Sequence, residues 1–282
     1  MEPPSEPPRR TVLAVTGGTV ALRHLGDGEP RVVALHGFTA TGAQWEPVAR
    51  RSPFGFVAPD LPGHGATRIS PIDLGTTLGA LRDVLEVVAP PRVVVGYSQG
   101  GRLALLLAAE APELVDALVV VSASPGIAED AERRRRRAAD AALASEIEAD
   151  DLDRFLDRWL AAPVTGTNHL PASTRAADRR MRRENTPRGL AAALRGYGQG
   201  SQPWILDALP DLPTWIVVGE RDRRYRRLGA RIATTLPTSE LVVVPGAGHN
   251  VVLEAPEAVA AVVHTAVAET TAGQRSRSDS NQ

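Results

Sequence analysis

Gly96-Tyr97-Ser98-Gln99-Gly100 is the stretch whose reading decides the fold. Ahead of it, Arg92-Val93-Val94-Val95 is short, apolar and β-branched, which predicts a strand. Behind it, Arg102-Leu103-Ala104-Leu105-Leu106-Leu107-Ala108-Ala109-Glu110 is built from strong helix formers. A strand therefore turns sharply into a helix with Ser98 at the apex. Gly96 and Gly100 lack the Cβ atoms that would collide where the two elements meet. In that setting G-x-S-x-G is a nucleophile elbow, which holds a serine hydroxyl exposed on a strained turn. Gly and Ser are common in loops, so the flanking strand and helix give the pattern its meaning.

Working outward, Thr11–Val15 and Val20–Leu25, split by Gly17-Gly18, predict an opening hairpin. Arg31–Leu35 and Phe54–Ala58 are further short apolar strands, ending at His36-Gly37-Phe38 and at Asp60-Leu61-Pro62-Gly63-His64-Gly65. Leu74 to Val88 has helical spacing, and Ala117–Val121 is a sixth strand. Strands alternating with helices imply a mostly parallel, doubly wound α/β sheet. From Ala128 to about Gln202 apolar strands vanish, and Ala, Arg, Asp and Glu dominate in helical periods. This segment, residues 128–202, is expected to be a helical cap inserted after the sixth strand. The core then comprises 1–127 and 203–269, with strands at Thr214–Val218 and Leu241–Val244 and a last helix from about Pro256 to Ala268. Residues 270–282, rich in Ser, Arg and Gln, predict a disordered tail.

Composition bounds the chemistry. A chain of 282 residues can bury a full core, and a net charge of −1 gives no bias toward nucleic acid. Without cysteine, disulfides and thiolate catalysis are excluded. All 32 basic residues are arginine, so Schiff-base chemistry and a P-loop are excluded as well. The N-terminal Met1–Pro8 has no apolar core like that of a signal peptide, and no run approaches a membrane span of about 20 residues. The expectation is a soluble, cytoplasmic protein. His169 has no second ligand at metal-site spacing, so neither a metal nor another cofactor is expected.

Each polar cluster follows the carboxyl end of a predicted strand, the edge where sites assemble in open α/β sheets. Ser98, Asp222 and His249 occur in the chain order Ser, Asp, His of the α/β-hydrolases. A serine hydroxyl needs a neighbouring imidazole to take its proton; His249 would do so, with Asp222 fixing its tautomer. Singly, Asp222 could be a helix cap and His249 an ordinary loop histidine; together, at successive strand ends, they read as a triad. The expected oxyanion-hole donors are the backbone N–H groups of Phe38 and Gln99. His36 and His64 belong to loop motifs and read as structural, and Arg133–Arg137 reads first as a solvated helix face. Arg102 lies one turn into the elbow helix, where a cation needs a carboxylate from protein or substrate. An anionic substrate and an internal ion pair both answer that need.

Leu35-His36-Gly37-Phe38, Asp60-Leu61-Pro62-Gly63-His64-Gly65, Gly96 to Arg102, Ser124-Pro125-Gly126-Ile127 with its Glu-Arg run, Gly219-Glu220-Arg221-Asp222 and Ala247-Gly248-His249-Asn250 resemble a particular family. It is that of the menaquinone-pathway 2-succinyl-6-hydroxy-2,4-cyclohexadiene-1-carboxylate (SHCHC) synthases, on the α/β-hydrolase fold. The resemblance runs from about Arg31 to Val263. It implies proton abstraction from 2-succinyl-5-enolpyruvyl-6-hydroxy-3-cyclohexene-1-carboxylate with elimination of pyruvate, Ser98 serving as base. It further implies a small polycarboxylate partner held by Arg102, Arg136 and Arg183, with Trp159 as the cap tryptophan. Leu160, Thr165 and Gln99 depart from residues common in the family. The competing readings are a serine hydrolase of the same fold, cleaving an ester or carbon–carbon bond, and a noncatalytic receptor. A hydrolase of neutral esters has no need of Arg102, and a receptor has none of an intact triad.

Overall fold

A computed structural model describes residues 9–162, 167 and 169–279, with side chains as far as 273. Nine strands form one sheet: β1 (Arg9–Val15), β2 (Gly18–Leu25), β3 (Pro30–Leu35), β4 (Gly55–Pro59), β5 (Arg68–Ile69), β6 (Val93–Tyr97), β7 (Ala117–Val121), β8 (Thr214–Gly219) and β9 (Ser239–Val244). Their order is β1-β2-β4-β3-β6-β7-β8-β9, with β5 paired to β2. From β4 to β9 every neighbouring pair is parallel, whereas β1, β2 and β5 pair antiparallel. The opening hairpin turns at Gly17, whose φ of 87° a side chain resists. Strands β4, β6, β7 and β8 are buried along their whole length. This is why they read as unbroken apolar runs rather than as alternating ones.

The helices are α1 (Glu46–Ala49), α2 (Leu74–Glu86), α3 (Gln99–Glu110), α4 (Asp130–Ala149), α5 (Leu152–Ala161), α6 (Ala172–Arg182), α7 (Pro187–Tyr197), α8 (Arg223–Thr235), α9 (Val251–Glu254) and α10 (Pro256–Asp279). One face of the sheet packs against α2, α3 and α8 through Leu81, Leu103, Leu107 and Ile232. The other packs against α1 and α10 through Trp45, Val48, Val259 and Val263. Covering on both faces is the doubly wound arrangement. Helices α4 to α7 fall between β7 and β8 and have a small core of their own, with Ile147, Phe155, Leu156, Leu190 and Leu194 at its centre.

Two expectations change. The helical insertion follows the seventh strand, not the sixth, because Arg68–Ile69 pairs with β2; two residues are too few to show a period. The backbone of α10 continues to Asp279 where a tail was expected from Thr270. The hydroxyls of Thr270 and Thr271 donate to the carbonyls of Ala266 and Val267, at 2.6 and 2.7 Å. These bonds satisfy the hydroxyls within the helix, although such back-bonding does not itself favour helix.

Candidate active site

Ser98 follows β6 with φ 51° and ψ −105°, outside the regions open to ordinary side chains. The glycines make this turn feasible. A Cβ on Gly96 would lie 2.4 Å from the Gly100 carbonyl oxygen, and one on Gly100 would lie 2.1 Å from that of Leu35. Backbone bonds fix the apex: the Ser98 N–H donates to Val121 O and its carbonyl accepts the Arg102 N–H. Strand β8 delivers Asp222, which caps α8 by accepting the Tyr225 N–H at 3.1 Å. Asp222 is therefore both the helix cap and the partner of His249, two readings that sequence sets apart. Beyond β9, the loop bearing His249 is braced by Glu254, which accepts the Gly248 N–H at 2.8 Å and pairs with His169 and Arg221.

These loops bring the three residues together. His249 Nδ1 lies 2.8 Å from Asp222 Oδ2, and Nε2 lies 3.2 Å from Ser98 Oγ. With Nδ1–H donating to the carboxylate, Nε2 is left as the acceptor for the serine proton. Burial works against the Asp222 carboxylate, but the His249 bond and the Tyr225 and Arg224 N–H groups hold its pKa below the usual range. The imidazole sits beside the rings of Tyr225 and Tyr97, at centroid distances of 4.5 and 5.4 Å.

The Phe38 loop faces the elbow. Its neighbour Gly37 donates to Gln44 Oε1 at 2.9 Å, and Thr39 has φ 67°. The Gln99 N–H opens α3, where helix geometry leaves it no intrahelical acceptor. His36 is buried; its Nε2 accepts the Leu61 N–H at 2.9 Å and Nδ1 faces Gly37 O at 2.8 Å. Burial pushes its pKa down to about 4, so it ties the Phe38 loop to the Asp60 loop as a neutral ring. His64, its pKa lowered by burial to about 3, packs edge-on against His36 and Phe38.

The insertion reaches this loop from above. Trp159 meets the Phe38 ring edge-on at 5.3 Å. Arg102 is buried and donates through Nε to Gln202 Oε1 at 2.8 Å. Among the described residues no carboxylate pairs with it, so they supply none of the internal ion pair weighed from sequence. Burial lowers its pKa to about 10, which leaves it a cation at neutral pH. In the run from Arg133 to Arg137, Arg133 and Arg136 are half-buried while Arg134, Arg135 and Arg137 stay exposed. Arg136 binds Asp140 at 2.7 Å and Gln199 Oε1 at 2.6 Å.

Arg183 lies elsewhere: its side chain is more than half exposed and paired with Asp153 on α5. It is the C-cap of α6, turned about 100° from its neighbour. The neighbour, Arg182, is the buried one. It binds Asp178 at 2.9 Å, one turn back on the same helix, and donates to Thr39 Oγ1 and to Phe38 O. Sequence reasoning missed Arg182, Asn185, Gln199 and Gln202. An Asp–Arg pair spaced by four, Asp178 and Arg182, was the available signal for the first. Thr165 lies outside the described residues, and Leu160 is half-buried.

The chain is similar to known proteins over most of its length. A model of the alpha/beta hydrolase family matches residues 32–262. The 2-succinyl-6-hydroxy-2,4-cyclohexadiene-1-carboxylate synthase of Salmonella schwarzengrund (strain CVM19633) is 31% identical over 82% of this chain and 91% of its own. A Bacillus subtilis (strain 168) protein, provisionally named as the same synthase, is 34% identical over 82% of this chain and 88% of its own. This chain belongs to the SHCHC synthase family. The solved structure of MenH from S. aureus superimposes with a TM-score of 0.81 at 25% identity, covering 89% of this chain and 98% of that one. The expected family and α/β-hydrolase fold are thereby borne out. Among the described residues of this family member, no helix is long and apolar enough to cross a membrane.

Proposed function

We propose that this enzyme eliminates pyruvate from 2-succinyl-5-enolpyruvyl-6-hydroxy-3-cyclohexene-1-carboxylate to give SHCHC, a carbon–oxygen lyase step of menaquinone biosynthesis. The proposal rests on family membership together with one observation: a buried guanidinium, Arg102, without a carboxylate partner among the described residues, one helical turn behind Ser98. An uncompensated buried charge is costly, and an anionic substrate removes the cost. Ser98, deprotonated toward His249 Nε2, takes the substrate proton. Asp222 holds the imidazole in the tautomer that can accept and then return it. Electrons released by proton loss expel the enolpyruvyl oxygen, and pyruvate leaves. The Phe38 and Gln99 N–H groups stabilise negative charge developing on a carbonyl oxygen, an effect of about 2.7–4 kcal/mol per donor in other enzymes. Arg102 binds a substrate carboxylate, Arg136, its charge already met by Asp140, holds the Gln199 side chain in place, and Trp159 closes the site over Phe38. Arg183, on the outside of α6, has no part in this. The insertion, residues 128–202, acts as the cap, and the reaction runs in the cytoplasm.

A lactate dehydrogenase-coupled assay of pyruvate release tests the reading. Turnover is expected with wild type and is lost in Ser98→Ala. Protein that releases no pyruvate but hydrolyses p-nitrophenyl esters well is a serine hydrolase, and the synthase reading falls.

A further inference from the structure

Among the described residues, three arginines are buried almost completely: Arg23, Arg182 and Arg102, at 2, 4 and 7% exposure. Arg23 is paired with Asp60 and Glu184, and Arg182 with Asp178. Arg102 has a glutamine instead. Gln202 is itself 2% exposed, accepts Arg102 Nε on its carbonyl oxygen and points its amide nitrogen at Tyr197 O, 3.4 Å away. Three residues earlier, equally buried Gln199 accepts from Arg136 and donates through Nε2 to Ser124 Oγ at 3.0 Å. Both glutamines flank one tight turn, Gln199–Ser201, pressed onto α4. A Cβ on Gly200 would lie 2.3 Å from the Arg137 nitrogen, and the Gly200 N–H donates to Asp140 at 3.1 Å. The turn therefore has little freedom, and its two amide carbonyls are fixed in space.

A neutral carbonyl and a carboxylate can hold a guanidinium in the same orientation, but they differ in what remains for a ligand. A carboxylate cancels the charge; an amide leaves it whole. We propose that Gln202 is a positioning residue that orients Arg102 while keeping its full charge for a substrate carboxylate. The turn from Gln199 to Gln202 thus sets substrate charge specificity from outside the reacting atoms. This rests on the reading of Arg102 as a substrate-binding residue.

The test uses the full chain with Gln202→Glu, Gln202→Met and Arg102→Gln, measuring pyruvate release, inhibition by succinate as a simple carboxylate probe, and the melting midpoint. Gln202→Glu keeps an acceptor for Arg102 but cancels its charge. KM and the succinate inhibition constant are expected to rise at least tenfold, kcat to fall by less than KM rises, and the melting midpoint to hold or increase. Gln202→Met removes the acceptor but not the charge, so KM rises less than in Gln202→Glu, and kcat/KM keeps the salt dependence of wild type. Wild-type KM in Gln202→Glu, or equal KM changes in the two Gln202 variants, overturns the proposal. If Gln202→Glu does not fold, wild-type KM in Gln202→Met overturns it alone. An unchanged KM in Arg102→Gln instead removes the underlying reading of Arg102, a separate failure.

Discussion

Asp60→Ala is expected to destabilise this protein more than any change of comparable size on its surface. The carboxylate is 1% exposed and accepts from four groups: Arg23 Nε at 3.2 Å, Arg23 Nη2 at 3.5 Å, the Gly42 N–H at 2.9 Å and the Ala66 N–H at 3.1 Å. Removing one partner of a buried pair costs about 3–5 kcal/mol. Here Glu184, a third exposed and 2.6 Å from Arg23, retains part of the compensation, which points to the lower end, about 3 kcal/mol. The two N–H groups that lose an acceptor add about 1 kcal/mol each. The total is about 5 kcal/mol, which for a chain of this size lowers the melting midpoint on the order of 10 °C. Thermal melts followed by circular dichroism measure it. Arg23→Met combined with Asp60→Ala removes the stranded cation and should recover about half of the loss. A double variant no more stable than Asp60→Ala refutes the charge argument. Acid gives a second reading. Burial opposes the Asp60 carboxylate, yet Arg23 and the Ala66 and Gly42 N–H groups outweigh it and hold its pKa below 3.8. A pKa depressed by folding contributes stability that is present above the unfolded value and lost as pH falls through the folded one. The stability gap between wild type and Asp60→Asn should thus be widest near neutrality and close below pH 3.8.

Three further outcomes concern the site. Asp222→Asn keeps the α8 cap but invites the wrong imidazole tautomer, and should lower kcat by about 10⁴, the loss known for the equivalent change in a serine protease; a kcat within tenfold of wild type in the pyruvate assay would refute the triad roles. Arg182→Met, made with Asp178→Leu so that no lone carboxylate stays buried, should lower kcat at least tenfold because the Phe38–Thr39 loop loses its tether. Arg183→Ala should change kcat/KM only a few-fold, and the reverse ranking would show that Arg183 is the residue that matters.

The elbow and the strands were legible because each is a local signal, and the structure brings Asp222 and His249 to Ser98 as their strand-end positions suggest. Val93–Val95, Ser98 and Leu103–Leu107 announce strand, apex and helix within fifteen residues, and strand ends carry Asp222 and His249. What sequence could not resolve depends on rotation about a helix or on partners far along the chain. Arg182 and Arg183 are adjacent and chemically identical, and only the placement of α6 against Thr39 separates them. Gln202 carries no motif; its meaning comes from Arg102, one hundred residues earlier. The two-residue strand β5 was too short for a period, and α10 runs past Thr270 with hydroxyl bonds that composition does not foretell.

The triad also has a consequence for biosynthesis. Ser98 and His249 are separated by 151 residues, and Asp222 and His249 lie beyond the insertion in the loops after β8 and β9, the last two strands along the chain. A ribosome completes the elbow long before it makes the imidazole that faces Ser98. A chain ending before β9 therefore contains Ser98 but lacks the imidazole that faces it in the whole protein. The contact among Ser98, Asp222 and His249 therefore needs the far edge of the sheet in place.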